Sequence, residues 1–396
     1  MTQTVYSKPE FLGINWRSQR GRWLEVGIVG AIALLLVVVM PLVLPGFRLN
    51  LLGRFLALAI AALGIDLIWG FTGLLSLGHG VFFALGGYAF AMYLKLQNPT
   101  GSGPQIPDFM SLYGGATELP WLWQPFQSLP LTLLAIVVLP ALVAAALGYF
   151  VFRNRIRGVY FSILTQAVTI IFLNLFNGQQ QLINGANGLT DFKTIFGLPI
   201  SEPSTQRGFY IVTVVTLAGA YALCRWLTSG RFGRLLVAIR DDESRVRFSG
   251  YNPTGFKLLV FAVSAALAGV SGALYTPQTG IVTPGALSIA FSIEMVIWVA
   301  VGGRATLVGA ILGALLVNFA KSLLSERFEE VWLFFQGGLF LVVVMALPQG
   351  IVGWLRTDGL QGLQGLLGLR PRVMTYPSLE TDPEVELERQ QLGSED

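Results

Sequence analysis

Cysteine and histidine are nearly absent, and charge is scarce. The 396-residue chain has one cysteine, one histidine and 12% charged residues. A single thiol, Cys224, forms no disulfide framework and no thiolate metal site. A single imidazole, His79, excludes a multi-histidine metal centre. No Gly-Lys pair occurs, so the chain has no Walker A loop, and any nucleotide that powers it is held by another chain. A soluble domain carries about a quarter charged residues. The low charge, with 54% hydrophobic residues and a mean hydropathy of +0.64, describes an all-α polytopic transmembrane helical bundle. The net charge of +4 is then no signal for nucleic acid, because most of it is arginine near helix ends, where it sets orientation.

What is abundant is long apolar sequence. Runs at about 26–45, 48–69, 73–96, 129–151, 157–177, 209–229, 256–276, 288–303, 305–322 and 331–352 mostly approach the ~20 residues needed to cross a bilayer. Ten spans are expected, or eight or nine if the short ones are re-entrant. The polar lead 1–25 carries Lys8, Arg17, Arg20 and Arg22 without a small-x-small cleavage site, so the first span is expected to stay uncleaved. With both termini in the cytoplasm, Arg153, Arg155, Arg157, the island 229–257, Arg356, Arg370 and Arg372 all fall inside. Arg48, Arg54, Lys95 and Arg327 lie at or near outer ends, where long side chains snorkel. The outer segment 97–128 holds Trp121 and Trp123, as suits an interfacial belt. The transmembrane domain is expected over 26–355. The remainder, 356–396, is a glycine-spaced leucine stretch and then an acidic end with Glu380, Asp382, Glu384, Glu386 and Glu388, expected to be partly disordered.

The island Ser229–Lys257 is the polar centre of the chain. Asp241 precedes Arg245, and Glu243 precedes Arg247, by four residues, the favourable order on a helix. Leu235, Leu236, Ile239 and Val246 form one apolar side, which predicts an amphipathic helix with a ridge available to an outside partner. Gly250 is placed to end it, and Thr254 to cap the next helix. The plainer alternative is a solvated loop whose arginines only fix topology.

Four motifs fall at membrane depth or beside it. Asp66–Ala91 carries glycines at 70, 73, 78, 80, 86 and 87 with Ser76, His79 and Tyr88, which predicts either close helix packing or a broken helix lining a polar path. Gln166 and Asn174 follow the basic start of the next span, and a lone Gln serves either as helix–helix glue or as a solute ligand. Asn-Gly turns mark 182–192 on the outer side. Glu294 lies in an apolar run, where an ionisable group faces a cavity or a partner, either functionally or as a structural pair. Asp66 is read as a solvated or capping group.

Taken in order, the motifs resemble those of integral-membrane permease subunits of ABC importers for branched-chain amino acids and urea. They are G-x-x-G-x-x-S-x-G-H-x-x-F at Gly70–Phe82, G-G-Y-A at Gly86–Ala89, R-G-x-Y-F-S at Arg157–Ser162 and N-G-L-T at Asn187–Thr190. G-R-x-x-x-A-I-R-D-x-E at Gly233–Glu243, K-L-x-x-F-x-x-S-A-x-x-A-G-x-x-G-A-L-Y at Lys257–Tyr275 and G-G-R-x-T-L-x-G-A-x-L-G-A at Gly302–Ala314 follow. Thr165-Gln166-Ala167, Gly302–Thr306 and the ending Leu347–Trp354 look like the urea branch, although Ala305 stands where that branch more usually has glycine. The resemblance implies a urea permease subunit, with the branched-chain amino acid permease as the alternative. It makes the island a coupling helix for a cytoplasmic ATPase, with Arg234, Ala238, Ile239, Arg240, Asp241 and Glu243 as the coupling face. Ser76, His79, Gln166 and Glu294 become translocation-path candidates. The implied partners are a homologous second permease, one or two ATPase subunits that use the ATP, and a periplasmic solute-binding protein, all at the bacterial inner membrane. This chain itself would bind no cofactor and catalyse no covalent chemistry. Rivals from other classes are an ATP-independent channel or secondary transporter, and a membrane enzyme built on His79 and Glu294.

Overall fold

The apolar runs become helices whose ends are set by glycine, proline and short polar side chains. The computed structural model describes residues 19–97, 106–115, 117–156, 158–327 and 350–354, with isolated positions 334, 337, 338, 341 and 345. The main helices are α1 (Gln19–Val38), α2 (Gly46–Ile65), α3 (His79–Leu96), α4 (Leu129–Arg153), α5 (Val159–Gly178) and α6 (Pro203–Thr228). The short α7 (Gly230–Asp241) and α8 (Glu243–Phe248) come next, then α9 (Pro253–Thr279), α10 (Ile289–Gly302) and α11 (Leu307–Arg327). Among the described residues, six stretches are long and apolar enough to cross a membrane: 46–70, 129–153, 159–178, 203–228, 253–279 and 307–327. Residues 29–43 and 289–302 form shorter apolar helices. The result is a polytopic helical bundle, as expected. The expected span 331–352 lies mostly outside the described residues, and Arg157, the lead 1–18 and the tail 356–396 lie wholly outside them.

The bundle is built around α2, which is buried on nearly all sides. Its neighbours approach through small residues. Ser264 Oγ donates to Gly64 O at 2.5 Å, Ser271 Oγ donates to Ala57 O at 2.6 Å, and Arg54 Nε donates to Gln278 O at 2.9 Å. These pairs run in opposite order along the chain, so α2 and α9 are antiparallel. Helix α3 packs along the other side of α9, where a Cβ on Gly86 would collide with the Gly269 carbonyl and one on Gly272 with the Phe83 carbonyl. Such close backbone approach is what holds helices together without a water-driven apolar force.

Two breaks interrupt the bundle. Helix α2 continues as a π turn, Asp66–Gly70, and the chain is non-helical from 73 to 78 before α3 begins. The expected span at 73–96 therefore starts six residues late. Between α9 and α10, Ile281–Val282 pairs antiparallel with Leu189–Thr190, then Pro284–Leu287 makes one 3-10 turn, and Ser288 caps α10. The Asn-Gly motif is an ordered turn in that pairing: Asn184 adopts φ 62, and Gly188 adopts φ 71 against the Val282 carbonyl.

Candidate functional site

Non-helical backbone at membrane depth needs partners for its N–H and C=O groups. Residues 73–78 find them on α5. Ser162 Oγ donates to Leu75 O at 2.7 Å, and Leu77 N–H donates to Thr165 Oγ1 at 3.0 Å. Thr169 Oγ1 lies 3.4 Å from Leu77 O and 2.9 Å from Thr165 O, so it shares its proton. Ser76 is buried and folded on its own segment, its Oγ accepting from Gly78 N–H at 3.4 Å. On the far side, Gly80 N–H donates to Ser292 Oγ at 3.0 Å, so the starts of α3 and α10 touch. The helix is thus broken at 73–78 and held by hydroxyls on its neighbours, while the glycines at 86 and 87 serve the close packing that was the other expectation.

His79 opens α3 and is fully buried. Its Nε2 lies 2.7 Å from Ser264 Oγ. That serine has already given its only proton to Gly64 O, so the imidazole must donate, and the ring is the Nε2–H tautomer. One side chain therefore ties α3 to α9 and α2. Phe82 stands edge-on to the ring at 5.5 Å between centroids, and Phe261 is tilted at 6.2 Å. Aromatic packing and a committed proton are the properties of a tie between helices.

The other sequence candidates sit apart from this junction. Gln166 is half-buried on α5, and the buried polar face of that helix is Ser162, Thr165 and Thr169 instead. Asn174 is exposed. Glu294 is buried on α10 and accepts from Lys321 Nζ of α11 at 2.8 and 2.9 Å, an ion pair across adjacent helices. The reading of Asp66 as solvated is corrected. It is 0% exposed, and its Oδ1 accepts from Ala305 N–H at 2.6 Å, capping the turn that leads into α11. Beside it, the Arg304 guanidinium lies 4.9 Å from the Trp69 ring centre.

The island forms two helices, not one. Asp242 breaks them with φ −155 and ψ 97, and its Oδ1 accepts from Ser244 N–H at 2.9 Å and Arg245 N–H at 3.2 Å, an N-cap. Glu243–Arg247 pairs at 2.7 Å as expected, but Arg245 pairs with Asp242 at 3.0 Å and Arg240 with Asp241 at 3.1 Å. Gly250 ends the pair at φ 83. Asn252, rather than Thr254, caps α9, accepting from Thr254 N–H at 3.1 Å.

The apolar ridge expected to face outward is turned inward. Leu236, Ile239 and Val246 are buried, with Ile239 3% exposed, so Ile239 is absent from the exposed face. Glu243 is likewise buried, held by Arg247 and by Lys257 at 2.5 Å. Arg234, Ala238 and Asp241 do face outward. Arg240 reaches back into the bundle, its Nη1 donating to Gly70 O at 2.8 Å. The large apolar side chain presented to the outside is Phe248, 92% exposed, near the exposed Arg245 and Tyr251.

Sequence reasoning missed Ser162, Thr165, Thr169, Ser264, Ser292, Lys257 and Lys321. One signal was readable: Ser162, Thr165 and Thr169 recur at i, i+3 and i+7, one face of a helix. The lysines gave none, because their partners lie 14 and 27 residues away in sequence.

Comparison with known proteins places this geometry. The family model described as "Branched-chain amino acid transport system / permease component" matches residues 47–344. The high-affinity branched-chain amino acid transport system permease protein LivM of Salmonella typhimurium is 28% identical over 321 residues, covering 74% of this chain and 67% of the relative. The corresponding permease protein BraD of Pseudomonas aeruginosa is 24% identical over 309 residues, covering 74% of this chain and 91% of the relative. The ribose import permease protein RbsC of Escherichia coli is 24% identical over 200 residues, covering 48% and 59%. No solved structure matches.

Proposed function

This chain belongs to the family of branched-chain amino acid transport system permease components, and on that premise we propose that it is the membrane permease subunit of an ATP-driven importer of branched-chain amino acids. The carrying observation is the family match over residues 47–344, joined by relatives whose printed names specify branched-chain amino acids. Those names favour the second solute considered above and leave urea without support. Gln166 and Asn174, the uncharged polar groups of α5, do not help urea either, since one is half-buried and the other exposed.

In this reading the chain sits in the bacterial inner membrane with the α7–α8 pair and both termini on the cytoplasmic side. It pairs with a homologous second permease through apolar faces left open on α4, α5 and α6. It receives solute from a periplasmic binding protein. One or two ATPase subunits dock on the exposed side of α7–α8, which presents Arg234, Ala238, Asp241 and Arg245, with the exposed Phe248 as the apolar anchor. Such a helix-in-groove contact places a buried aromatic at its centre with charge at the rim. Binding and hydrolysis of ATP in the partner then shift the bundle between its two open states.

The test is uptake of labelled leucine and labelled urea by cells with and without this chain, all other transport genes intact. Loss of leucine uptake alone is expected. Loss of urea uptake alone overturns the solute, and flux through the purified chain without ATP or partners overturns the importer reading.

A further inference from the structure

The π turn at the end of α2 is where three elements meet. The α10–α11 turn contacts it through Ala305 N–H on Asp66 and Arg304 over Trp69. The unwound stretch 73–78 leaves from it. The third element is α7, through Arg240. A helix that stops leaves its last carbonyls without backbone donors. Arg240 Nη1 donates to one of them, Gly70 O, at 2.8 Å, and its positive charge complements the negative end of the α2 dipole. The same side chain lies over Gly73, where an added Cβ would come 2.9 Å from Arg240 Cγ. Gly73 holds φ 75, a conformation that suits glycine.

We propose that Arg240 is the positioning residue through which movement of the α7–α8 pair reaches the unwound stretch 73–78. This rests on the docking reading above and deepens it: Arg240 faces the permease, not the ATPase. The pair is fixed to the bundle at two named points, Glu243 on Lys257 of α9 and Arg240 on the end of α2. A pull on its exposed side is carried to both. Helix α9 runs for 27 residues, with its internal proline, Pro277, only in the last turn. Gly73 N–H donates to Trp69 O at 3.1 Å and Leu74 N–H to Ile68 O at 3.3 Å, and beyond them the stretch 75–78 is non-helical. It is held by Ser162, Thr165 and Thr169 on α5, and these exchange partners when it shifts. Arg240 therefore acts on a part of the backbone that is held largely by side-chain hydroxyls rather than by helical hydrogen bonds.

The test uses the whole complex of both permeases, ATPases and binding protein. The only native thiol of this chain, Cys224, is buried, so Leu75→Cys supplies a reporter in the unwound stretch. Maleimide labelling of this chain is read by mass with and without ATP. With Arg240 in place, ATP is expected to change the labelling rate about fivefold or more, the size of an ordinary coupling between sites. Adding Arg240→Met, which keeps the methylene packing, is expected to shrink that change to about twofold or less while the ATPase subunits still co-purify. An ATP response that is absent with Arg240 in place, or equal in Arg240→Met, overturns the proposal. So does loss of the ATPase from Arg240→Met, which would make Arg240 a docking residue. Should Arg240→Met not be recovered from membranes, Arg240→Gln decides, since its shorter uncharged amide loses both the reach and the charge, with an undiminished response counting against the relay. Failure of the docking reading looks different: Phe248→Asp would then retain the ATPase subunits.

Discussion

Lys257 Nζ donates to Glu243 Oε2 at 2.5 Å, with the two side chains 5% and 6% exposed. This buried pair joins the start of α8 to the first turns of α9, and Arg247 closes the cluster at 2.7 Å. It explains why the island sits as a fixed body on the bundle even though it carries nine charged side chains in 29 residues.

Removing one member of a buried pair leaves the other charge stranded, at a cost of about 3 kcal/mol or more. Glu243→Gln is therefore expected to lower the thermal midpoint of the detergent-purified chain substantially. The double variant Glu243→Leu/Lys257→Met is expected to recover most of the loss. A double variant less stable than Glu243→Gln would contradict the pairing.

His79 gives a prediction that separates a structural tie from a solute ligand. His79→Gln puts an amide N–H near the position of Nε2 and is expected to keep the bond to Ser264. His79→Phe removes it and is expected to cost about 1 kcal/mol, the net worth of a hydrogen bond. Thermal midpoints check the order. A raised KM for solute with unchanged stability in His79→Phe would make the imidazole a ligand instead.

Thr165 is the strongest test of the hydroxyl hold on the break. Thr165→Val keeps shape but leaves Leu77 N–H unpaired, at about 1–3 kcal/mol for a buried donor. The expected outcome is faster amide hydrogen exchange across 73–78, with α9 unaffected. Gln166→Leu on the same helix is expected to leave that exchange unchanged.

Ala305 holds φ 58, a left-handed conformation that a side chain makes unfavourable by about 1–2 kcal/mol. Ala305→Gly is expected to stabilise the chain by about 1 kcal/mol, read as a raised thermal midpoint. A lowered midpoint would mean that the methyl contributes packing beside Gly70 that outweighs the strain.

The sequence by itself determined the class, most of the helices and the place of the break. Those follow from composition, from apolar runs long enough for a bilayer and from glycines clustered at 70–80, all of which act locally. It also led to the permease family, because seven motifs stand in one order. Tertiary structure decided which way each side chain turns. Periodicity put Leu236, Ile239 and Val246 on one side of a helix, but only the presence of α9 and the end of α2 beneath that side made it the inner one. The same holds for charge. Glu243 found Lys257, Glu294 found Lys321 and Arg240 found the Gly70 carbonyl across 14, 27 and 170 residues of chain. Spacing within one helix carries no information about such partners, because they are chosen by how the helices lie against each other.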